Sequence, residues 1–287
     1  MSSKVKVGII GLGAIGNVHI ESLRKVPDAE IAALCDGIPE RLKSKGEALG
    51  CKNLYADFRE MVKQPDLDAV VVAVPNAHHC DTTVAALKAG RHVLCEKPMA
   101  LNARQAKTMV DTGRSARKLI QMGMTWRQTA EAQLLKNMID EGYFGHIYHL
   151  HLCMRRRRGV PGLGGWFTTK ALSGGGCLID IGVHFIDLVM WLSDNWKPER
   201  VSAVTYAEFG KRMRQYTYVG MWAGPPKFDG VCDVDDYASG IVRFKGCTLT
   251  FELSWAANIK QESYAEIIGD KAGVRAFDGN PMTIFTE

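Results

Sequence analysis

Over the first hundred or so residues the apolar positions alternate between two periods. Lys4–Ile10 is a short, largely β-branched run, and Ala29–Cys35, Asp68–Val74 and His92–Cys95 repeat it. Between these runs apolar residues recur at helical spacing: through Val26, over Glu40–Leu49 behind Pro39, around Cys80–Ala89, and from the cap Asn102 towards Arg114. Lys118–Met122 reads as a further strand. Near-continuous apolar strands alternating with helices predict a parallel sheet covered on both faces. The pattern then changes. A helix is predicted over Glu131–Glu141 and a strand over Tyr148–Arg155, and a long apolar helix follows. Strands are predicted over Arg200–Phe209, Ala238–Phe244, Thr248–Trp255 and Tyr264–Gly269. A run of strands without intervening helices predicts an antiparallel sheet. The expected class is α/β: a doubly wound N-terminal domain over 1–124, and a C-terminal α+β domain with a large, mostly antiparallel sheet over 125–287.

The long apolar stretch Gly174–Leu192 carries Asp180, His184 and Asp187. In a regular helix these spacings put the three side chains on one face. A carboxylate in a buried helix is costly unless it is paired or hydrogen-bonded. Either that face looks into a polar cavity, or the residues form a core contact satisfied within the fold.

The turn after the first strand is Gly11-Leu12-Gly13-Ala14-Ile15-Gly16, it opens a helix, and Asp36 closes the second strand. In that context the glycine string is a dinucleotide fingerprint. Gly11 allows the tight turn, Gly13 the approach of a pyrophosphate, and Gly16 close packing of helix on strand. Ala14 and Ile15 lie at the helix N-terminus, whose N–H groups and dipole suit phosphates. Asp36 is expected to accept from the adenine ribose, which favours NAD. Arg41, a helical turn beyond, keeps NADP as the alternative. The segments Val74-Pro75-Asn76, with His79, and Cys95-Glu96-Lys97-Pro98 end two further strands. Ligands of doubly wound sheets lie beyond the carboxyl ends of strands, so Pro75, Asn76, His79, Glu96 and Lys97 are expected at the nicotinamide.

Together GLGAIG at 11–16, VPNAHH at 74–79, ALKAGRHVLCEKPMA at 86–100 and GGGCLIDIGVHFID at 174–187 resemble the Gfo/Idh/MocA family, named for glucose–fructose oxidoreductase and inositol dehydrogenase. The resemblance implies a Rossmann domain followed by a sheet domain that often forms the subunit interface, hence a homodimer or homotetramer. It implies Lys97 in the E-K-P role, with Asp180 and His184 as its catalytic partners. The implied activity is hydride transfer between a secondary alcohol of a sugar, glycoside or polyol and NAD(P). His184 takes the hydroxyl proton and Lys97 stabilises the alkoxide, although either group is a candidate for the proton. Two other readings stay open: a nucleotide-binding sensor without turnover, and a glycosidase that uses tightly held NAD. Members continue beyond Gly279-Asn280-Pro281 with a further strand and a helix, so a chain ending at Glu287 is expected to be a shortened form.

Other features weigh less. Trp126, Arg127, Trp166 and Tyr237 are candidates to wall a sugar site, and Asp235 and Asp236 to meet hydroxyls. Arg155–Arg158 is expected at a rim or a subunit contact. His149 and His151 share a strand face, but no third ligand stands at useful spacing, so no metal is expected. The net charge of +5 brings no dense basic stripe, which argues against nucleic acid. No apolar run is read as a membrane span, since the best one is interrupted by Asp180, His184 and Asp187. Eight cysteines without a C-x-x-C pair, and no signal-peptide layout, predict reduced thiols and a cytoplasmic protein.

Overall fold

A computed structural model of the chain describes residues 4–217, 220 and 223–287. It divides into two compact units, one ending at Gly123 and one beginning at Met124.

In the first unit β1 (Val5–Ile10), α1 (Ala14–Leu23), β2 (Ala29–Cys35), α2 (Pro39–Leu49), β3 (Leu54–Tyr55), α3 (Phe58–Met61), β4 (Ala69–Val72), α4 (His79–Lys88), β5 (His92–Cys95), α5 (Ala103–Ala116) and β6 (Ile120–Met122) follow in order. The six strands are parallel, in the order β3-β2-β1-β4-β5-β6. Their continuous apolarity has a direct cause. Val70 and Val72 of β4, Ala33 and Cys35 of β2 and Ile10 of β1 enter the core on one side of the sheet. Val71, Leu34, Val7 and Ile9 enter the core on the other. Each such side chain contributes about 1.5–3 kcal/mol on full burial. The short β3 and α3 carried no apolar period to announce them; Asp57 caps α3 by accepting from Arg59 N–H at 2.8 Å. The last strand is shorter than its apolar run, and Leu119 lies outside it, 72% exposed.

In the second unit α6 (Ala130–Asp140), β7 (Ile147–Arg155), α7 (Lys170–Ser173), α8 (Val183–Ser193), β8 (Arg200–Tyr206), β9 (Tyr237–Phe244), β10 (Cys247–Ser254), β11 (Glu262–Gly269), β12 (Gly273–Ala276) and β13 (Thr283–Phe285) follow. The sheet runs β13-β12-β11-β7-β10-β9-β8. Only β7 and β10 pair in parallel. The inner face, with Leu150, Leu152, Leu249 and Leu253, shares a core with Phe185, Leu188, Val189 and Leu192 of α8.

The outer face differs from an uncovered apolar sheet. Arg155 pairs with Glu252 and Glu262, Tyr237 donates to Glu252 at 3.0 Å, and Arg275 donates to Glu266 at 2.9 Å. His151 Nδ1 lies 2.8 Å from Thr250 Oγ1. Tyr237 therefore serves this network rather than a sugar site. Exposed apolar side chains on this face lie towards its two edges: Val204, Tyr206 and Ile241 on the β8–β9 side, and Phe285 on β13.

The 24-residue stretch Lys170–Ser193, which runs from α7 through the glycine bend and the π turn into α8, is long and apolar enough by length and composition to cross a membrane. The expectation of no such run therefore fails on this count. Half of that window is buried inside the protein, which accounts for its apolarity. No disulfide joins the described cysteines; all eight are free.

Candidate functional site

In the first unit the nucleotide-facing loops follow β1, β2, β4 and β5. Gly11 has φ +92°, and a Cβ there would lie 2.4 Å from the Ala73 carbonyl oxygen. A Cβ on Gly16 would lie 2.0 Å from the Gly11 oxygen, so the start of α1 rests directly on the turn. Around Gly13 the nearest atom to such a Cβ is Arg41 Nη1 at 4.0 Å. There is thus room where α1 begins, and among the described residues no side chain caps it. An uncapped helix N-terminus with space above it fits a pyrophosphate, so these residues suit NAD. Ala14 is exposed, whereas the Ile15 side chain packs into the core and leaves only its main chain for a ligand.

Asp36 does more than wait for a ribose. Its Oδ2 accepts from Leu12 N–H at 2.8 Å, inside the glycine turn, and its Oδ1 from Ile38 N–H at 2.9 Å. Arg41 Nη1 stands 3.2 Å from Oδ2. The carboxylate, 8% exposed, ties the first two loops together before any ligand arrives.

Two expected cofactor contacts are corrected. His79 is 1% exposed, with Nδ1 2.7 Å from the Pro98 oxygen and Nε2 2.9 Å from the Val74 oxygen. Both ring nitrogens face main-chain carbonyls, and the neutral ring donates to one of them. Burial holds its pKa below the usual histidine range, against the two carbonyls and Glu96. Glu96 is 7% exposed; one oxygen lies 2.7 Å from His19 Nε2, and the other accepts from Lys97 N–H at 3.2 Å. Burial raises its pKa, but His19 and Lys97 outweigh that and hold it below the usual carboxylate range. His19 was missed in the sequence. Its signal was a polar side chain beside the buried Gly16 and Ile20 of α1. Pro75 and Lys97 are half-buried and Asn76 is buried.

In the second unit the helix expected to be regular is not. Leu178–Gly182 is a π-helical turn leading into α8. Such turns widen the helix and recur at functional sites. Asp235 holds its start, accepting from Gly176 N–H at 2.8 Å and Leu178 N–H at 3.1 Å. A Cβ on Gly176 would lie 1.7 Å from the Asp235 main-chain carbonyl oxygen, which explains that glycine. Asp236 accepts from Phe209 and Gly210 N–H at 2.7 and 3.0 Å. Asp236, 3% exposed, is taken up by these main-chain donors, whereas Asp235 stays partly exposed while it holds the start of the turn.

Asp180, 7% exposed, accepts from Trp255 Nε1 at 2.9 Å. The Trp126 ring centroid lies 6.4 Å from that of His184 and 4.6 Å from that of Phe185. Arg127, expected to bind substrate, instead grips Asp187 through two nitrogens, Nε at 2.6 Å. Its guanidinium lies over Trp196 at 5.3 Å. Trp166 stacks on Phe167 at 3.8 Å. Of Arg155–Arg158, Arg155 joins the sheet network, while Arg158 holds Asn258 at 2.7 Å and lies over Phe209.

Residues 5–124 match the family model for an NAD-binding Rossmann fold of the Gfo/Idh/MocA oxidoreductases, and residues 132–275 match the corresponding C-terminal domain. D-glucoside 3-dehydrogenase of Escherichia coli K12 is 34% identical over 100% of this chain and 80% of its own. Myo-inositol 2-dehydrogenase of Thermotoga maritima is 29% identical over 66% of this chain and 54% of its own. The solved levoglucosan dehydrogenase complex with NADH and levoglucosan is 25% identical, with a TM-score of 0.83 over 96% of this chain and 74% of that one. With an NAD-binding turn, an E-K-P loop and a sheet domain all matched, the chain belongs to the Gfo/Idh/MocA family of NAD-binding oxidoreductases.

Proposed function

We propose that the protein oxidises a ring hydroxyl of a glucoside or a related pyranoside, with NAD as hydride acceptor. The observation that carries this reading is the His184 imidazole beside the Trp126 indole, with ring centroids 6.4 Å apart. An aromatic face suits the C–H face of a pyranose, and a neutral imidazole beside it can take a hydroxyl proton near neutral pH. The glucoside 3-dehydrogenase identity supports the same class.

NAD, when bound, supplies the hydride acceptor. The glycine turn and the start of α1 would hold its pyrophosphate, and Asp36 would accept from its adenine ribose. At the alcohol, His184 accepts the O–H proton as the C–H electron pair departs as hydride. Lys97 donates a hydrogen bond to the oxygen as its negative charge grows. Asp180, held by Trp255, would orient the substrate hydroxyl.

A panel of methyl glucosides, aldoses and myo-inositol is assayed by absorbance of reduced nicotinamide. A methyl glucoside is expected to be oxidised fastest, with NADH released into solution. Lys97→Ala and His184→Ala are each expected to cut turnover by about 10²–10⁴. Their double variant loses much less than the product, because the groups act as a unit. A His184→Ala protein with near-normal turnover would remove the imidazole from the chemistry.

The outer sheet face supports a homodimer or homotetramer through its Arg155, Glu252, Glu262, Arg275 and Glu266 network. Light scattering at micromolar concentration tests this, and a monomer there refutes it.

A further inference from the structure

The reactive nitrogen of a lysine sits at the end of a flexible stem, so its placement depends on the main chain that carries it. At Lys97 that main chain is gripped from both sides. On one side Glu96 accepts from Lys97 N–H at 3.2 Å, and its other oxygen meets His19 Nε2 at 2.7 Å. The main chain at Gly123 passes close by and leaves this space to the carboxylate, since a Cβ there would lie 3.0 Å from Glu96 Oε1. On the other side the Pro98 carbonyl meets His79 Nδ1 at 2.7 Å, while Nε2 of the same ring reaches the Val74 carbonyl at 2.9 Å. His19 is carried on α1, which opens at the glycine turn. His79 begins α4, directly after the Val74–Asn76 segment. Each imidazole therefore links the E-K-P loop to a helix that starts at a nucleotide-facing loop.

We propose that His19 and His79 are positioning residues for Lys97, acting through Glu96 and the Pro98 carbonyl to fix the main chain that presents its ammonium to the reacting alcohol. Neither histidine has to touch substrate or nucleotide to do this. The inference rests on the reading of Lys97 as the group that stabilises the alkoxide. A misplacement of about 1 Å by a change remote from the chemistry is enough to cost about a hundredfold in rate.

The test compares wild type with His19→Ala, His79→Ala, His79→Gln, Glu96→Ala, Glu96→Gln and Lys97→Ala, and with each alanine change combined with Lys97→Ala. His19→Ala is expected to lower kcat as Glu96→Ala does, and wild-type kcat there removes His19 from the role. Turnover and KM are measured with the methyl glucoside oxidised fastest by wild type. His79→Ala and Glu96→Ala are expected to lower kcat by about tenfold to a hundredfold. His79→Gln, which keeps a donor for a carbonyl, and Glu96→Gln, which keeps an acceptor for Lys97 N–H, recover part of that loss. In the Lys97→Ala background none of the alanine changes costs anything further. Losses that multiply in full with Lys97→Ala, or a His79→Ala protein with wild-type kcat, would overturn the proposal.

A second measurement needs no turnover. The acetylation rate of Lys97 by acetic anhydride is followed by mass spectrometry against Lys136 and Lys211 as references. Removing the bracket changes the Lys97 rate while the references hold; an unchanged Lys97 rate overturns the inference. If no glucoside is oxidised, or if Lys97→Ala turns over normally, the functional reading fails, and labelling alone decides the positioning role.

Discussion

Gly13 and Gly16 stand in one turn, yet the structure separates what each does, and paired alanine changes expose the difference. A Cβ on Gly16 would lie 2.0 Å from the Gly11 carbonyl oxygen and 3.0 Å from its carbon. An unstrained carbon–oxygen contact is about 3.3 Å or longer, so turn and helix must part by more than an ångström. Both partners are main chain, which cannot rotate aside. Overpacking of this kind costs about 1–3 kcal/mol, and rigid backbone on both sides puts Gly16→Ala at the upper end. The intrinsic helix gain from Gly to Ala, about 0.5–1 kcal/mol, does not offset it.

At Gly13 the nearest atom to the new methyl is Arg41 Nη1 at 4.0 Å, and the backbone, φ −71° and ψ −161°, is extended. Gly13→Ala therefore folds, losing about 1 kcal/mol at most from a poorer N-cap. Its methyl instead fills the space above the start of α1. Hydrogen bonds to a charged group contribute about 1.5–3 kcal/mol, so losing one there weakens nucleotide binding by about tenfold to a hundredfold. Urea melts followed by circular dichroism and NADH titrations followed by fluorescence, on the same preparations, separate the two effects. The expected result is a lowered midpoint for Gly16→Ala, and a weakened NADH affinity with a near-wild-type midpoint for Gly13→Ala. A Gly16→Ala protein as stable as wild type, or a Gly13→Ala protein with unchanged affinity, would refute the reasoning.

Other outcomes follow from the same geometry. NAD is expected to be preferred over NADP, because a 2′-phosphate beside Asp36 meets a like charge. At about 4 Å and an effective dielectric near 20 that repulsion is roughly 4 kcal/mol before screening, and Arg41 offsets part of it. Equal kcat/KM with the two cofactors would contradict this. Arg127→Ala breaks a two-nitrogen ion pair that is 27% and 15% exposed at its two side chains. It should cost about 1–3 kcal/mol in urea melts, and Asp187→Ala added to it should cost little more. For pH, the Glu96 carboxyl is held below its ordinary value of 4.5, so the unfolded chain takes up that proton first. Its contribution is fully present above that value and is lost as pH falls through the lower folded one. Glu96→Gln should flatten the acid limb of stability against pH, and an unchanged limb would argue against the His19 pairing.

The longer strands of both sheets were legible because each repeats a burial pattern over several residues; β3, β12 and β13 are too short to do so and were not foreseen. Val70, Val71 and Val72 enter cores on alternating sides of the first sheet, and so read as one apolar run. Leu150 and Leu152 alternate with His149, His151 and Arg155 because only one face of the second sheet is covered. The glycine turn was legible too, since Gly11 and Gly16 meet main-chain atoms that exclude any side chain. The polar composition of the outer sheet face was visible in those alternating residues, but not that they pair with one another. The π turn at Leu178–Gly182 leaves no mark on the apolar period, since one widened turn shifts the faces without changing which residues are apolar.

Polar residues within apolar stretches announce that a partner exists, not which one it is. Asp180 and Asp187 sit on the same helical stretch and looked equivalent, as two acids beside one histidine. The fold gives them unrelated partners: Trp255, 75 residues away in the chain, donates to the first, and Arg127, 60 residues away, pairs with the second. Glu96 and His19 meet across 77 residues in the same way. None of these pairings follows a helical or strand period, so no local pattern encodes them. They arise where the sheet order brings distant segments together, β1 next to β4 and β4 next to β5. That order sets α1, α4 and the E-K-P loop beside one another, and it turns Glu96 and His79 from expected ligand contacts into supports for the residue between them. The roles proposed for Lys97 and His184 start from motif alone; the contacts that surround Lys97 come only from the fold.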